Sequence, residues 1–359
     1  MKISDVLNCS FAAWYGTFQR VTFKSIVIPL PEDFVRYLHT DGIVLPDGSQ
    51  CGLYTKSKNL AMDGDDDDED LRDDDLMKKY ENDWQVPSNT EIAKAPDFGE
   101  LDETVKTAIT SLGGKVFPKL NWSSPKDANW ISFNRTLMCS CPSEVYLLLK
   151  SSEFIAHDLD QPFVHCDDYD SSSAADRNSM SYCLVLRQWQ SIDPSCEFRC
   201  FVNKNRLIGI CQRNSTKLYP HIVEEKVAIL KDIVTFFEKE ISSKFPDPDY
   251  VFDVVRNRKG KVILLDFNPW GRVTDSLMFT WDDLEHMAAG SQDSSCQQLP
   301  CFHCVESEDG VQCSDYGNYA FPKDIRDLTA GEDPFKLMDL MKLKIQSSGD
   351  GSSSSEDDY

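Results

Sequence analysis

Residues 250–268 read YVFDVVRNRKGKVILLDFN, two mainly apolar runs separated by a turn near Lys259-Gly260. This pattern predicts a β-hairpin with strands over 250–256 and 261–268. Side chains alternate between the two faces of a strand, so Val251, Asp253 and Val255 are expected to share one face. In the second strand, one face is predicted to hold Val262, Leu264, Asp266 and Asn268, and the other Ile263, Leu265 and Phe267.

Asp253, Asp266 and Asn268 thus place two carboxylates and a carboxamide on adjacent strands among apolar neighbours. Burial of such groups is costly unless a partner satisfies them. Magnesium takes a few hard oxygen ligands from a protein and fills its remaining positions with water and substrate phosphates. The three residues therefore indicate a magnesium site. An alternative stays open, in which Asp266 caps the following turn and Asp253 pairs with an arginine.

A second hairpin, with its turn at residues 203–205, is predicted just upstream. It places Glu197 and Arg199 on one face, and Arg213 ends the partner strand. An arginine can bind phosphate oxygens through two hydrogen bonds at once, although one arginine could simply pair with Glu197. The arginines next to a metal site favour a ligand that carries phosphate.

Two lysines and a strand end extend this predicted site. Lys119 ends a strand over 115–120, and Lys126 follows it in a loop, where an ammonium group can act as a point charge on a phosphate. Residues 186–190, Leu-Arg-Gln-Trp-Gln, end a strand predicted over 182–189 and offer backbone groups suited to the edge of an adenine ring.

Further elements follow from periodicity and capping signals. The aromatic residues of 11–18 are expected to belong to the core. The other predictions are a strand and turn over 25–35, a helix over 101–112 closed by Gly113-Gly114, helices over 142–151 and 222–244, a helix start at Thr280 with Asp283, and a last helix from Asp333.

Six motifs closely resemble, in order, the Cell division cycle protein 123 family. They are VFPKLNW (116–122), LVLRQW (184–189), EFRCFV (197–202), IGICQR (208–213), VFDVV (251–255) and LLDFNPWGRVTDSLMFTW (264–281). The resemblance also takes in CSFAAWY (9–15) and GED (331–333). It implies an α+β, ATP-grasp-like fold of two lobes with mainly antiparallel sheets, flanking helices and a nucleotide in the cleft between the lobes.

The resemblance also implies a set of binding residues for ATP and magnesium. Lys119, Trp122, Ser124 and Lys126 would line the nucleotide from the smaller lobe, and Arg187, Gln188, Trp189 and Gln190 would form the hinge that holds adenine. Glu197, Arg199 and Arg213 would lie near ribose or phosphates, with Asp253, Asp266 and Asn268 as metal ligands.

Members of this family act as assembly factors for translation initiation factor 2. By resemblance, the chain would bind the gamma subunit so that the alpha subunit can join, and would support translation initiation and cell-cycle progression. Two other readings of the residues stay open. One is an ATP-grasp ligase or kinase that acts on a carboxylate or protein substrate, and the other is a scaffold that does not use its cleft. Whether the chain is an enzyme is therefore left open, with a chaperone expected rather than a turnover enzyme.

The chain carries 37 basic and 60 acidic residues, a net charge of −23, which disfavours direct contact with nucleic acid or anionic lipid. Its start lacks a signal-peptide pattern, and no apolar stretch is long enough for a membrane span. Thirteen cysteines scattered in apolar contexts fit a reducing compartment, so a cytoplasmic protein is expected. Cys296, Cys301, Cys304 and Cys313, with His303, leave zinc as an alternative, although the second half of a zinc pattern is missing.

The predicted organisation follows composition along the chain. Residues 1–62 begin the smaller lobe, and residues 91–180 complete it with its phosphate-binding lysines. Between them, residues 63–90 form an acidic disordered insertion. Residues 181–345 form the larger lobe with the hinge, the magnesium site and a cysteine-rich loop at 291–317, and residues 346–359 are a disordered tail.

Overall fold

The computed structural model describes residues 1–40, 45–46, 96–132, 135–170, 180–290 and 299–308. The acidic insertion, the helix from Asp333, the GED motif and the tail lie outside these ranges, as do Cys296 and Cys313. The predicted lobe boundaries and the zinc alternative therefore stay predictions. Within the described ranges, no helix combines the length and apolar character needed to cross a bilayer.

The smaller sheet has three antiparallel strands with β3 in the centre. They are β1 (Ser25–Pro29), β2 (Val116–Lys119) and β3 (Cys183–Gln188). The strand signals at 25–35, 115–120 and 182–189 are thus confirmed. Because β3 leads directly toward the larger lobe, its last residues lie where the two lobes meet.

The larger sheet has five strands. They are β4 (Glu197–Asn203), β5 (Arg206–Gln212), β6 (Tyr250–Arg256), β7 (Val262–Pro269) and β8 (Cys301–His303). Their order is β7-β6-β4-β5-β8, antiparallel throughout except for the β5-β8 pair. Both predicted hairpins are confirmed. In the β4-β5 hairpin, Lys204 and Asn205 adopt φ values of 50° and 58°, which matches the tight two-residue turn that twisted strands favour.

Nine helices lie among the described residues. They are α1 (Ile3–Asn8), α2 (Phe11–Phe18), α3 (Glu32–His39), α4 (Gly99–Ser111), α5 (Pro142–Lys150), α6 (Glu153–Asp160), α7 (Pro220–Glu224), α8 (Lys226–Phe236) and α9 (Trp281–Gly290). As predicted, Gly113 and Gly114 close α4 with positive φ, and Thr280 caps α9 by accepting a hydrogen bond from the Asp283 amide. The predicted single helix over 222–244 is wrong, because the chain breaks between α7 and α8 and α8 ends in a π-turn at Phe237–Ile241.

The π-turn has a physical cause in the spacing of buried residues. Ile229, Ile233, Phe237 and Ile241 are all buried and recur every four residues. In an α-helix of 3.6 residues per turn, such a row drifts by about 40° with each step. The wider π-turn reverses this drift and keeps the last two side chains on the core side.

Two main cores flank the sheets. The larger one lies under one face of the five-stranded sheet and includes the buried aromatic residues of α2, as predicted for residues 11–18. Phe267 joins them, with its ring 5.1 Å from that of Phe18 and 5.4 Å from that of Trp14. A second core packs α4, α5 and α6 around the smaller sheet. The α2 helix thus ties the start of the chain to the larger sheet.

A bulge changes the predicted faces of β7. Asp253 pairs with Asp266, but the next residue, Val254, pairs with Leu264, so Leu265 has no partner opposite it. Leu264 and Phe267 consequently both point into the larger core, with 0% and 3% exposure. The prediction that Leu264 shares a face with Asp266, and Leu265 with Phe267, is therefore wrong. The extra residue is what turns Leu265 and Asp266 together toward the cleft.

Candidate functional site

A cleft of about 180 Å³ lies between the two sheets. It is lined by Phe23, Phe117, Lys119, Ser124, Lys126, Arg187, Gln188, Trp189, Gln190, Ile192, Glu197, Arg213, Asp253, Leu265 and Asp266. The lining comes from the segment before β1, from β2 and its following loop, from the end of β3 and the linker after it, from the start of β4, from the residue after β5 and from the middle of β6 and β7. The cleft is therefore built from strands and connecting segments of both sheets.

Asp253 lies in the floor of the cleft and is bound by arginine. Its two carboxylate oxygens accept hydrogen bonds from Nε and Nη2 of Arg199, each at 2.8 Å, because the two residues face each other across the β4-β6 ladder. Nη1 of Arg213 lies 3.2 Å from Asp253 Oδ2. Burial alone would raise the pKa of Asp253, but the two arginines overcome it and hold the pKa well below its usual range.

Asp266 faces Asp253 across the β6-β7 ladder and has a different partner. Lys119 Nζ donates to Asp266 Oδ2, and the lysine is only 2% exposed while the aspartate side chain is 24% exposed. The ammonium group also lies 5.4 Å from the ring centre of Phe11, a cation–π contact. Asn268 donates weakly to Asp253 Oδ2 at 3.5 Å. The three predicted metal ligands are thus adjacent, although both carboxylates have cationic partners.

Three further charged groups meet on the other side of the floor. Glu197 lies 3.5 Å from the Arg213 guanidinium, and burial raises the pKa of Glu197 even though the arginine acts in the opposite direction. The positive charge of the same guanidinium lowers the pKa of Lys126 to about 8. A lysine that is harder to protonate because of a neighbouring cation marks a local excess of positive charge.

Arg187 joins the two lobes. Its Nη1 donates to the backbone oxygen of Leu265 at 2.8 Å, and its Nη2 donates to Thr22 Oγ1 at 3.0 Å. Thr22 in turn donates to the backbone oxygen of Leu264 at 2.8 Å. The guanidinium also lies over the ring of Phe11 at 5.2 Å. Part of Arg187 is therefore committed to holding the smaller sheet against β7.

The end of β3 and the start of the linker after it are hydrogen-bonded to neighbouring segments of the smaller lobe. The amides of Gln188 and Trp189 donate to the backbone oxygens of Lys24 and Lys115 at 2.8 and 3.0 Å. These bonds fix the upper rim of the cleft. Beside it, an apolar surface is formed by Phe23, Phe117, Ile192 and Leu265. A flat aromatic ring could lie against this surface while its edge meets the backbone of the linker.

The balance of charge and hydrogen bonding identifies the kind of ligand that suits the cleft. With Arg199 behind the lining, five cations (Lys119, Lys126, Arg187, Arg199 and Arg213) surround three carboxylates. In the part of the chain that the structure describes, Arg187 Nε is buried without a hydrogen-bond acceptor, whereas Arg213 Nη1 faces Asp253 Oδ2 at 3.2 Å. Buried donors are normally satisfied, so Arg187 Nε calls for an acceptor oxygen from a ligand. An anion with an aromatic ring fits this cleft.

Eleven of the fourteen sequence-predicted residues line the cleft. Arg199 and Asn268 lie behind it and contact Asp253. Trp122 is not brought to it: the indole Nε1 donates to the backbone oxygen of Val6 at 2.8 Å, and the ring packs against Phe163. Sequence reasoning missed the apolar lining. Phe117 had a signal, since it precedes Lys119 by two residues, but Leu265 had none, because the bulge places it there.

The fold and cleft define the chain as a two-lobed α+β protein whose cationic cleft lies between two mainly antiparallel sheets. A family model described as D123 matches residues 14–329. The chain therefore belongs to the D123 family, which confirms the resemblance to the Cell division cycle protein 123 family.

Relatives of known name match over nearly their full length. The chain is 44% identical over 344 residues to the translation initiation factor eIF2 assembly protein of Xenopus tropicalis, covering 96% of this chain and 97% of the relative. It is 42% identical over 349 residues to the protein of that name from Danio rerio, covering 96% and 95%. The structure of Cdc123 from Schizosaccharomyces pombe is 33% identical with a TM-score of 0.65, covering 86% of this chain and 99% of that one. This likeness confirms the predicted two-lobed α+β fold class.

Proposed function

We propose that this protein is an ATP- and magnesium-binding assembly factor for translation initiation factor eIF2. The observation that carries the ATP part is a buried arginine donor without an acceptor, Arg187 Nε, in a cleft with excess positive charge. The assembly part rests on relatives that match along 97% and 95% of their own length and are named eIF2 assembly protein.

The cleft residues suit the parts of ATP in turn. Lys119, Lys126 and Arg213 supply positive groups for the phosphates, with Arg213 able to bind two oxygens at once. Phe117 and Leu265 come from opposite lobes and offer apolar surfaces for the two faces of adenine. Gln190 follows the two amides already bonded to the smaller lobe, so the adenine edge is expected to meet the linker there. Glu197 is placed for a ribose hydroxyl.

The oxygen ligands fit magnesium if Asp266 exchanges its present partner, Lys119, for the metal ion. Asp266 offers oxygens at the cleft, Asn268 lies behind it next to Asp253, and Asp253 keeps the lone pairs that its two arginines leave free. Asp266 would hold the metal ion, and Lys119, which now pairs with Asp266, would then be available to a phosphate. The metal would neutralise phosphate charge and fix the phosphates relative to β6 and β7. Asp253 then serves mainly as the group that orients Arg199 and Arg213.

A nucleotide held by both lobes would fix the angle between them and so shape a surface for the partner. We propose the gamma subunit of eIF2 as that partner, with the alpha subunit joining afterwards. The net charge of −23 would favour association with a basic protein. Cell-cycle progression would then depend on this protein through the supply of assembled eIF2.

Calorimetric titration with ATP, with and without magnesium, tests nucleotide binding. Lys126→Met is the variant of choice because the side chain is exposed and lines the cleft, and we expect about a tenfold loss of affinity. Lys106→Met, an exposed lysine on α4 paired with Glu103 at 2.8 Å, is the matched control and should bind like the native protein. A folded native protein that does not bind ATP would contradict the proposal.

Joining of purified gamma and alpha subunits tests the assembly role. The native protein with ATP and magnesium should accelerate formation of the complex, and Lys126→Met should do so less well at limiting ATP. ADP release that depends on a small carboxylate acceptor, at ordinary enzyme rates, would instead favour the ligase.

A further inference from the structure

The loop that follows β2 carries two cleft residues but has little regular structure of its own. Ser124 and Lys126 line the cleft, and the loop closes on itself through hydrogen bonds from the Leu120 amide to the Ser123 oxygen at 2.9 Å and from the Lys126 amide to the Ser124 oxygen at 2.7 Å. A third bond, from the Ala128 amide to the Pro125 oxygen at 3.1 Å, closes a single 3-10 turn over Lys126–Ala128. These short-range bonds shape the loop but do not attach it to the rest of the smaller lobe, so contacts outside the loop set where Lys126 lies.

Asp158, in the last turn of α6, supplies one of these contacts. It is 5% exposed, and its two oxygens accept hydrogen bonds from the amide and the hydroxyl of Ser123 at 2.7 and 2.8 Å. Burial raises the pKa of Asp158 to about 6, while the bonds from Ser123 and the charge of Lys119 favour the carboxylate. Near neutral pH the group is thus an ionised carboxylate whose two oxygens are both bonded to the loop.

A second buried aspartate fastens the other end of the loop to the same helix. Asp127 is 8% exposed and accepts hydrogen bonds from Ser152 Oγ at 2.5 Å and from the Glu153 amide at 2.6 Å. Ser152 is also the N-cap of α6, since its hydroxyl accepts from the Ile155 amide at 3.2 Å. The helix therefore holds the loop at both of its ends, with Ser124 and Lys126 between the two anchor points.

We infer that α6 is a brace for a phosphate-binding loop and that Asp158 is a positioning residue for the ATP phosphates. The inference rests on the proposed function, because it assigns Ser124 and Lys126 to the phosphates. Its physical basis is that a buried carboxylate is costly and is satisfied here only by holding the loop in one conformation. Asp158 does not touch the nucleotide and acts through Ser123.

The prediction specific to this role concerns whether the ligand carries phosphates. A loop that meets phosphates affects the affinity for ATP and not that for adenosine, whereas a general structural defect weakens both. Calorimetric titrations with ATP·Mg and with adenosine are made on the native protein, Asp158→Asn, Ser123→Ala and the double variant. Asp160→Asn, a half-exposed residue two positions away in α6, is the matched control.

We expect Asp158→Asn to lower ATP affinity about tenfold and to leave adenosine affinity unchanged. Ser123→Ala, which removes one donor and is the milder change, should act in the same direction, and the double variant should be no weaker than Asp158→Asn, because both act through one contact. Native ATP affinity in folded Asp158→Asn and Ser123→Ala would overturn the inference. So would an equal loss for adenosine. Failure of the native protein to bind ATP would overturn the proposed function itself, and this inference with it.

Discussion

The contact between Lys119 and Asp266 gives a direct test of how the cleft is held together without nucleotide. Lys119 is 2% exposed, so Asp266→Asn leaves its ammonium group buried without a counter-ion at nearly constant volume. Breaking a buried pair in this way costs about 3–5 kcal/mol, and the 24% exposure of the aspartate places the expected loss near the lower end, about 3 kcal/mol. Lys119→Met added to Asp266→Asn removes the stranded charge and should recover about 2 kcal/mol.

Urea unfolding followed by tryptophan fluorescence, in buffer with EDTA and no nucleotide, measures these free energies. Four proteins are compared: the native protein, Asp266→Asn, Lys119→Met and the double variant. The slope of the unfolding free energy against urea should be the same for all four, so that the midpoints report stability. Asp282→Asn, at an exposed ion pair with Arg272, is the control and should match the native protein within error. The reasoning is refuted when the double variant loses as much stability as the sum of the two single variants.

Three further predictions concern other parts of the molecule. The pKa of Asp158 rises from 3.8 to about 6 on folding, so its contribution to stability is present below pH 3.8 and is lost as the pH rises through 6. Relative to Asp158→Asn, the native protein should therefore gain about 2 kcal/mol in urea unfolding between about pH 7 and pH 4. A difference that does not change with pH would contradict this. Trp122→Phe removes the 2.8 Å hydrogen bond to the backbone oxygen of Val6 and should lower stability by about 1 kcal/mol without changing ATP affinity. Weaker ATP binding of this variant in calorimetry would show that Trp122 belongs to the nucleotide site after all. Asn205→Ala should cost about 1 kcal/mol more than Asn205→Gly in thermal unfolding, since φ is 58° there, and equal stabilities would show that the turn relaxes.

Much of the fold could be predicted because short-range rules act locally. The alternation in 250–256, the turn at residues 203–205 and the paired glycines after α4 each specify an element from a few adjacent residues. Recognition of the family motifs added the order of the elements and the identity of most cleft residues. The three exceptions, Trp122, Arg199 and Asn268, each lie two positions from a lining residue, where sequence proximity does not reveal which side chain reaches the cleft.

The sequence by itself determined strands β1 to β7, the turns, the charged groups of the cleft and the family, whereas β8 falls within the predicted cysteine-rich loop at 291–317. Only the tertiary structure decided which partner each charged group takes, because Lys119 and Asp266 are 147 positions apart and Arg199 and Asp253 are 54 apart. It also decided the bulge in β7, since an unpaired Leu265 depends on how β6 and β7 fit against the larger core and not on the local alternation of residues. Registers and long-range pairs are set by the packing of whole elements, which no short window of sequence contains.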